Sequence, residues 1–288
     1  VDAGTYFAET EGVPGTRRLR HRRAERVRNT DDRWEADAAP GRGSRLLIML
    51  VAAAACPCPP LLVPEVAAGA APELDAARAA CTDAVGALAA ARPDLLVVVG
   101  PVTGDGGPEH YPEGGTGSFR GFGVGLEVRL GADRGTVTGR ALPGALAVGA
   151  WLLERTGWTD VPVEGLGVGE SLTAERCAGQ GRDVAGRAER VALLVMGDGS
   201  ACRTLKAPGY LDERAAPFDA EAARALGAAD TAALRALDSG LARELKASGR
   251  APWQVLAGAA EAGGAALRGT LLYEEAPYGV GYMVAAWS

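Results

Sequence analysis

Three short apolar runs break off abruptly at glycine or proline, and this constrains the fold more than any other feature of the chain. The stretch RLLIMLVAAAAC, 45–56, stops at Pro57; Leu95 to Val99 stops at Gly100-Pro101; VALLVM, 191–196, opens into Gly197-Asp198-Gly199-Ser200. Continuous apolar runs without alternation mark strands buried on both faces, the pattern of a parallel sheet covered by helices. Between the first two lies PELDAARAACTDAVGALAAA, 72–91, with proline and acids at its start and apolar residues at helical spacing. Strand, helix, strand is a parallel βαβ unit.

The same reading extends along the chain. It predicts helices over 141–157, with Pro143 in the first turn and Gly157 as a stop, from about 219 to 226, over 231–249 and over 251–264. Alternation over 118–131 predicts a strand or hairpin over the site, 161–170 another strand, and the end of the chain two strands around the turn Ala276-Pro277-Tyr278-Gly279. The expected class is α/β: a mostly parallel central sheet flanked by helices in α/β/α layers, with an added hairpin and a C-terminal strand pair.

Ligand chemistry in such folds gathers where strands end. The loop CPCPPLLVPE, 56–65, presents Cys56 and Cys58 at the end of the first strand, Cys58 reading either as a site residue or as a buried thiol. The GDGS loop offers Asp198 and Ser200, followed by Lys206 and Tyr210; a tight turn with local capping is the alternative. His110 lies in the glycine-rich loop 100–117, which has neither the GK[ST] ending of a P-loop nor a dinucleotide turn. It reads as a surface residue or a metal ligand.

The formal charge of −6 and pI near 5.2 argue against a general nucleic-acid binder, because phosphate contacts need a basic face. Residues 1–48 are different: ten arginines stand against eight acids, and hydrophobic periodicity is missing. They read as a disordered arm, with His21 in solvent, or as translated sequence ahead of a start at Met49, which leaves 49–288 as one domain. The apolar run after Arg45 is too short for a membrane span and reads as a strand. Cys56, Cys58, Cys81, Cys177 and Cys202 make neither an even secreted framework nor paired CxxC knuckles, which fits a reducing cytoplasm.

Five segments in this order, CPCPPLLVPE, PDLLVVVGP, GSFRGFG, VMGDGSACR with APGYLDERAAPFD, and LLYEEAPYGVGYMVA, resemble the catalytic B-subunit (LigB-type) family of class III extradiol ring-cleavage dioxygenases. The resemblance covers residues 49–288. It implies non-haem Fe(II), held by two histidines and a glutamate, that binds a catechol and activates dioxygen, with a further histidine as acid/base. The first loop of the family reads Pro-His-Pro-Pro, and Cys58 stands at that histidine here. Val102 stands at the histidine after the second strand, and Ala201 at the acid/base histidine of the GD-x-S loop. The glutamate position falls near residues 251–253, with Glu244 and Glu261 the nearest carboxylates.

Three functions follow. The first is a dioxygenase-type oxidoreductase with an altered Fe(II) site drawn from Cys58, His110 and an acid such as Asp105 or Asp198. The second is a metal-free pseudoenzyme that binds a small aromatic or other molecule, or a protein, in the old cleft. The third is chemistry at Cys58 as nucleophile, assisted by Asp198, Lys206 or Tyr210. No nucleic acid or membrane is expected as partner; a homo-oligomer and a companion subunit both stay open.

Overall fold

The chain runs β1 (Met49–Cys56), α1 (Pro64–Ala67), α2 (Asp75–Ala90), β2 (Leu95–Val102), β3 (Glu109–Tyr111), β4 (Thr116–Ser118), β5 (Glu127–Arg129), α3 (Gly144–Thr156), β6 (Val163–Gly169), α4 (Ala174–Ala185), β7 (Arg190–Met196), α5 (Ala215–Ala228), α6 (Thr231–Ala236), α7 (Ser239–Glu244), α8 (Arg250–Gly263), β8 (Gly269–Glu275) and β9 (Tyr282–Trp287). This computed structural model describes residues 49–104, 107–133, 135, 139–159, 161–264 and 266–288, which fall in one unit, Leu46–Ser288. The N-terminal arm with His21, and Asp105, lie outside the described residues.

A seven-stranded sheet has the order β3-β6-β2-β7-β1-β9-β8. β6, β2, β7 and β1 are parallel, β3 adds antiparallel at one edge, and the β8–β9 pair adds antiparallel at the other. The apolar runs are continuous because both faces are buried. Leu95, Val97 and Val99 enter one core with α4, α5 and α8, while Leu96 and Val98 enter the other with α2 and α3. The alanines of β1 divide likewise, Ala53 and Ala55 to the first core and Ala52 and Ala54 to the second. Their small side chains let helices approach β1 closely from both sides.

Packing of α4 on α8 is closer still. A Cβ on Gly181 would collide with the Val255 carbonyl, and one on Gly258 with the Ala178 carbonyl, so the two backbones touch through reciprocal glycines.

Some boundaries differ from expectation. The single helix over 231–249 is two, because the Asp230 carboxylate accepts the Ala233 N–H at 3.0 Å and the Asp238 carboxylate accepts the Leu241 N–H at 2.6 Å, so each starts a helix of its own. α5 begins at Ala215, a turn before the expected start near Asp219. The hairpin is the two-stranded β4–β5 sheet, which rests on α3 where Gly117 meets Ala147. Among the described residues no helix is long and apolar enough to cross a membrane.

The crossovers locate a crevice. Chain leaving β1 and β2 passes over the face covered by α2 and α3; chain leaving β7 passes to the opposite face, through α5 to α8. β7 lies between β1 and β2, so the chain parts to both sides at its carboxyl end, where open α/β sheets bind ligands.

Candidate functional site

The GDGS loop leaves β7 at this crevice and is held from both sides. The Gly197 N–H donates to the Cys56 carbonyl at 2.9 Å, which extends the ladder past β1. On one side Asp198 N–H donates to Ser248 Oγ at 3.1 Å and Gly249 N–H to the Asp198 carbonyl at 2.8 Å. On the other, Gly199 N–H donates to the Gly281 carbonyl at 2.7 Å and Gly281 N–H to the Ser200 carbonyl at 2.8 Å. Gly197 is required because a Cβ there would strike the Gly249 backbone.

Asp198 turns its carboxylate toward the proline loop after β1, accepting the Cys58 N–H at 2.8 Å. Prolines 57, 59 and 60 leave Cys58 as the available backbone donor in that stretch. β9 runs antiparallel to β1 with Ala55 beside Ala285, so Tyr282 comes alongside the chain just past β1. Asp198, Cys58, Ser248 and Tyr282 therefore form one cluster.

Burial pushes the Asp198 carboxyl up to about 7, partly offset by the Cys58 hydrogen bonds. Burial, and then the Asp198 charge, hold the Cys58 thiol well above its ordinary value, although the Ser248 hydroxyl works the other way. Burial, followed by the Asp198 charge, also raises the Tyr282 phenol. At neutral pH the thiol and phenol keep their protons and Asp198 exchanges its own. Burial and the Asp198 charge thus disfavour the thiolate that nucleophilic chemistry at Cys58 would need.

Ser200 does not join this cluster. Its N–H and Oγ both donate to Asp219, at 2.7 Å each, and the Arg203 guanidinium donates to the same carboxylate at 3.0 Å. Asp219 and Ser200 are fully buried. A Cβ on Gly199 or Gly281 would meet the Asp219 carboxylate, so both glycines make room for it. Ser200 is a strut of the loop and donates inward, not toward the crevice.

Lys206 and Tyr210 are exposed, Tyr210 at 64% with a φ of +66°. They lie on the loop that leaves the crevice, and no hydrogen bond or ion pair among the described residues links them to Asp198 or Cys58. Lys206 instead lines a cleft of about 500 Å³ with Thr204, Leu205 and the turn Pro277-Tyr278-Gly279. The charge of Tyr278 contributes to the rise at Tyr282, so the cleft adjoins the cluster.

The residues do not fit the iron site. Val102 ends β2, and Cys58 and Ala201 follow the neighbouring β1 and β7, at the positions where the resemblance places the three histidines, but valine and alanine offer no donor. His110 is not in a loop. It is the exposed middle residue of β3, whose neighbour Tyr111 is buried and donates to Glu109 at 2.7 Å, which fixes the strand's facing. β3 is four strand positions from β1, about 19 Å at ~4.8 Å per strand, so His110 and Cys58 cannot share an ion. Glu244 pairs with Arg214 at 2.7 Å and Glu261 with Arg235 at 3.1 Å. Among the described residues no three His, Cys, Asp or Glu side chains are grouped as a metal site.

Ser248, Tyr282, Asp219 and Arg203 carry the geometry of the site and were not singled out from sequence. Asp219 and Tyr282 stand inside the quoted segments PFD and GVGYM; Ser248 gives no local signal.

No family model matches the chain, and no curated protein matches it. In structure it is similar to the crystal structure of uncharacterized protein JW3007 from Escherichia coli K12, at 15% identity and a TM-score of 0.49, over 82% of this chain and 99% of that one.

Proposed function

We propose that this chain is a divergent protein of the class III extradiol dioxygenase type that works without iron and binds a small molecule, aromatic by resemblance, beside Asp198. The observation that carries the reading is the Asp198 carboxyl, titrating near 7 at the carboxyl end of β7 and bonded to the Cys58 N–H. By the resemblance, Val102 and Ala201 stand where metal-site and acid/base donors would be. A carboxyl near 7 donates a hydrogen bond to a ligand oxygen when protonated and accepts one from a phenol when ionised. The cleft next to Tyr278 supplies apolar wall and the Lys206 ammonium at its rim.

The test is made on purified protein, as isolated and after anaerobic Fe(II) loading. With a panel of catechols and monophenols, a subset is expected to raise the melting temperature by a few degrees, independently of iron and with no oxygen uptake. Iron-dependent oxygen consumption, with ring-fission absorbance, would instead establish the dioxygenase reaction.

A further inference from the structure

At the opposite end of the sheet, where β2 and β6 begin, a cavity of about 450 Å³ opens between the last turns of α2 and the loop after α3. One wall is the α2 face of Thr82, Val85, Gly86 and Ala89, which are spaced three and four apart and small enough to leave a trough. A Cβ on Gly86 or on Gly157 would meet nothing within 4 Å, so the space is open on both walls. Trp158 closes the far side. Its Nε1 donates to the Val161 carbonyl at 3.3 Å, so the indole's polar edge is satisfied and its ring is left as apolar surface.

The rim is cationic. Arg92 lies on it, with a φ of +48° just past the end of α2, and has no carboxylate partner among the described residues. The Arg190 guanidinium sits against the same turn, donating to the carbonyls of Arg92 at 3.1 Å and Ala91 at 2.6 Å. The nearest acid on the strand side, Asp94, accepts the Arg190 backbone N–H at 3.1 Å. None of the described lining residues is acidic. Apolar walls of this size beside a guanidinium that meets no carboxylate among the described residues match a ligand with an apolar body and a single negative end.

We propose that this cavity binds a small apolar monocarboxylate, with its body between Trp158 and the α2 trough and its carboxylate on Arg92. The site is independent of the Asp198 cluster and lies across the sheet from it. An aryl and an acyl body satisfy the same chemistry, and the probes below separate them.

Titration calorimetry of the full chain with indole-3-acetate, octanoate, octanol and octylammonium tests the site. At least one carboxylate is expected to bind about tenfold or more tighter than octanol, with octylammonium the weakest. Arg92→Gln is expected to weaken the carboxylate about tenfold and leave octanol unchanged. Gly86→Leu fills the trough and is expected to abolish binding while the melting temperature stays close to wild type; Ala89→Leu on the same face makes the same test should that variant unfold. Preference for indole-3-acetate identifies an aryl ligand and preference for octanoate an acyl one, and either supports the site. Equal affinity for octanol and octanoate overturns the proposal. So do carboxylate binding unchanged in Arg92→Gln, binding that survives a filled trough, and no carboxylate binding at millimolar concentration.

Discussion

Asp198 and Cys58, 140 positions apart in the chain, meet through a 2.8 Å hydrogen bond from the Cys58 N–H to the Asp198 carboxylate. It joins the loops at the ends of adjacent strands, and it ties a backbone donor in a proline-rich stretch to a carboxyl pushed up to about 7.

That carboxyl makes stability depend on pH. The folded protein keeps the Asp198 proton to about 7, whereas the unfolded chain releases it near its ordinary value. Between those values the folded state holds more protons, so the contribution is present at low pH and is lost as pH rises toward 7. Cys58 and Tyr282, the titratable neighbours, stay protonated throughout. Asp198→Asn keeps an acceptor for Cys58 and removes the buried charge. It is expected to exceed wild type by on the order of 2 kcal/mol at pH 8, with the gap closing toward pH 4, in urea titrations across that range. A variant weaker than wild type at pH 8 would refute the assignment.

Thiol reactivity reads the same cluster from its other member. With its pKa held up by burial and by Asp198, Cys58 is expected to react with iodoacetamide at pH 8 at least about tenfold more slowly than a free thiol. Peptide mapping over a time course gives the rate. Labelling as fast as glutathione would mean that the thiol is exposed and ionised.

Removing the strut under the loop gives a separate outcome. Ser200→Ala takes away a buried hydroxyl donor and is expected to cost about 1–2 kcal/mol; Asp219→Asn takes the charge from the Arg203 partner and is expected to cost about 2–4 kcal/mol. In a double-mutant cycle the pair is expected to couple by about 1 kcal/mol or more, and additivity would contradict the shared contact.

The touching helices make a sharper contrast. Gly181→Ala and Gly258→Ala drive a methyl group into a facing backbone and are each expected to cost about 3 kcal/mol or more. Gly86→Ala, which meets nothing, is expected to gain up to ~1 kcal/mol from helix propensity alone. Melting temperatures of the three variants check both signs.

Most of the fold was legible because it depends on local patterns. Runs such as LLVVV and VALLVM are apolar at every position, which only a strand covered on both faces accommodates, and helix-period segments between them force the crossovers. Where expectation failed, a local competitor had acted: Asp238 capped a new helix inside a periodic stretch, and His110 entered a short edge strand behind buried Tyr111. Asp198 and Cys58 were also legible, since each stands where an apolar run ends.

The sequence alone determined that Val102 and Ala201 bring no donor to their positions, because a side chain's chemistry does not depend on where it lands. Tertiary structure alone decided what the remaining candidates can do. Strand order put His110 some four strands from Cys58, crossover direction opened the crevice at β7, and packing buried Asp198 far enough to bring its proton to neutral pH. Strand order, crossover side and desolvation are properties of residues distant in the chain, and no window of local sequence contains them.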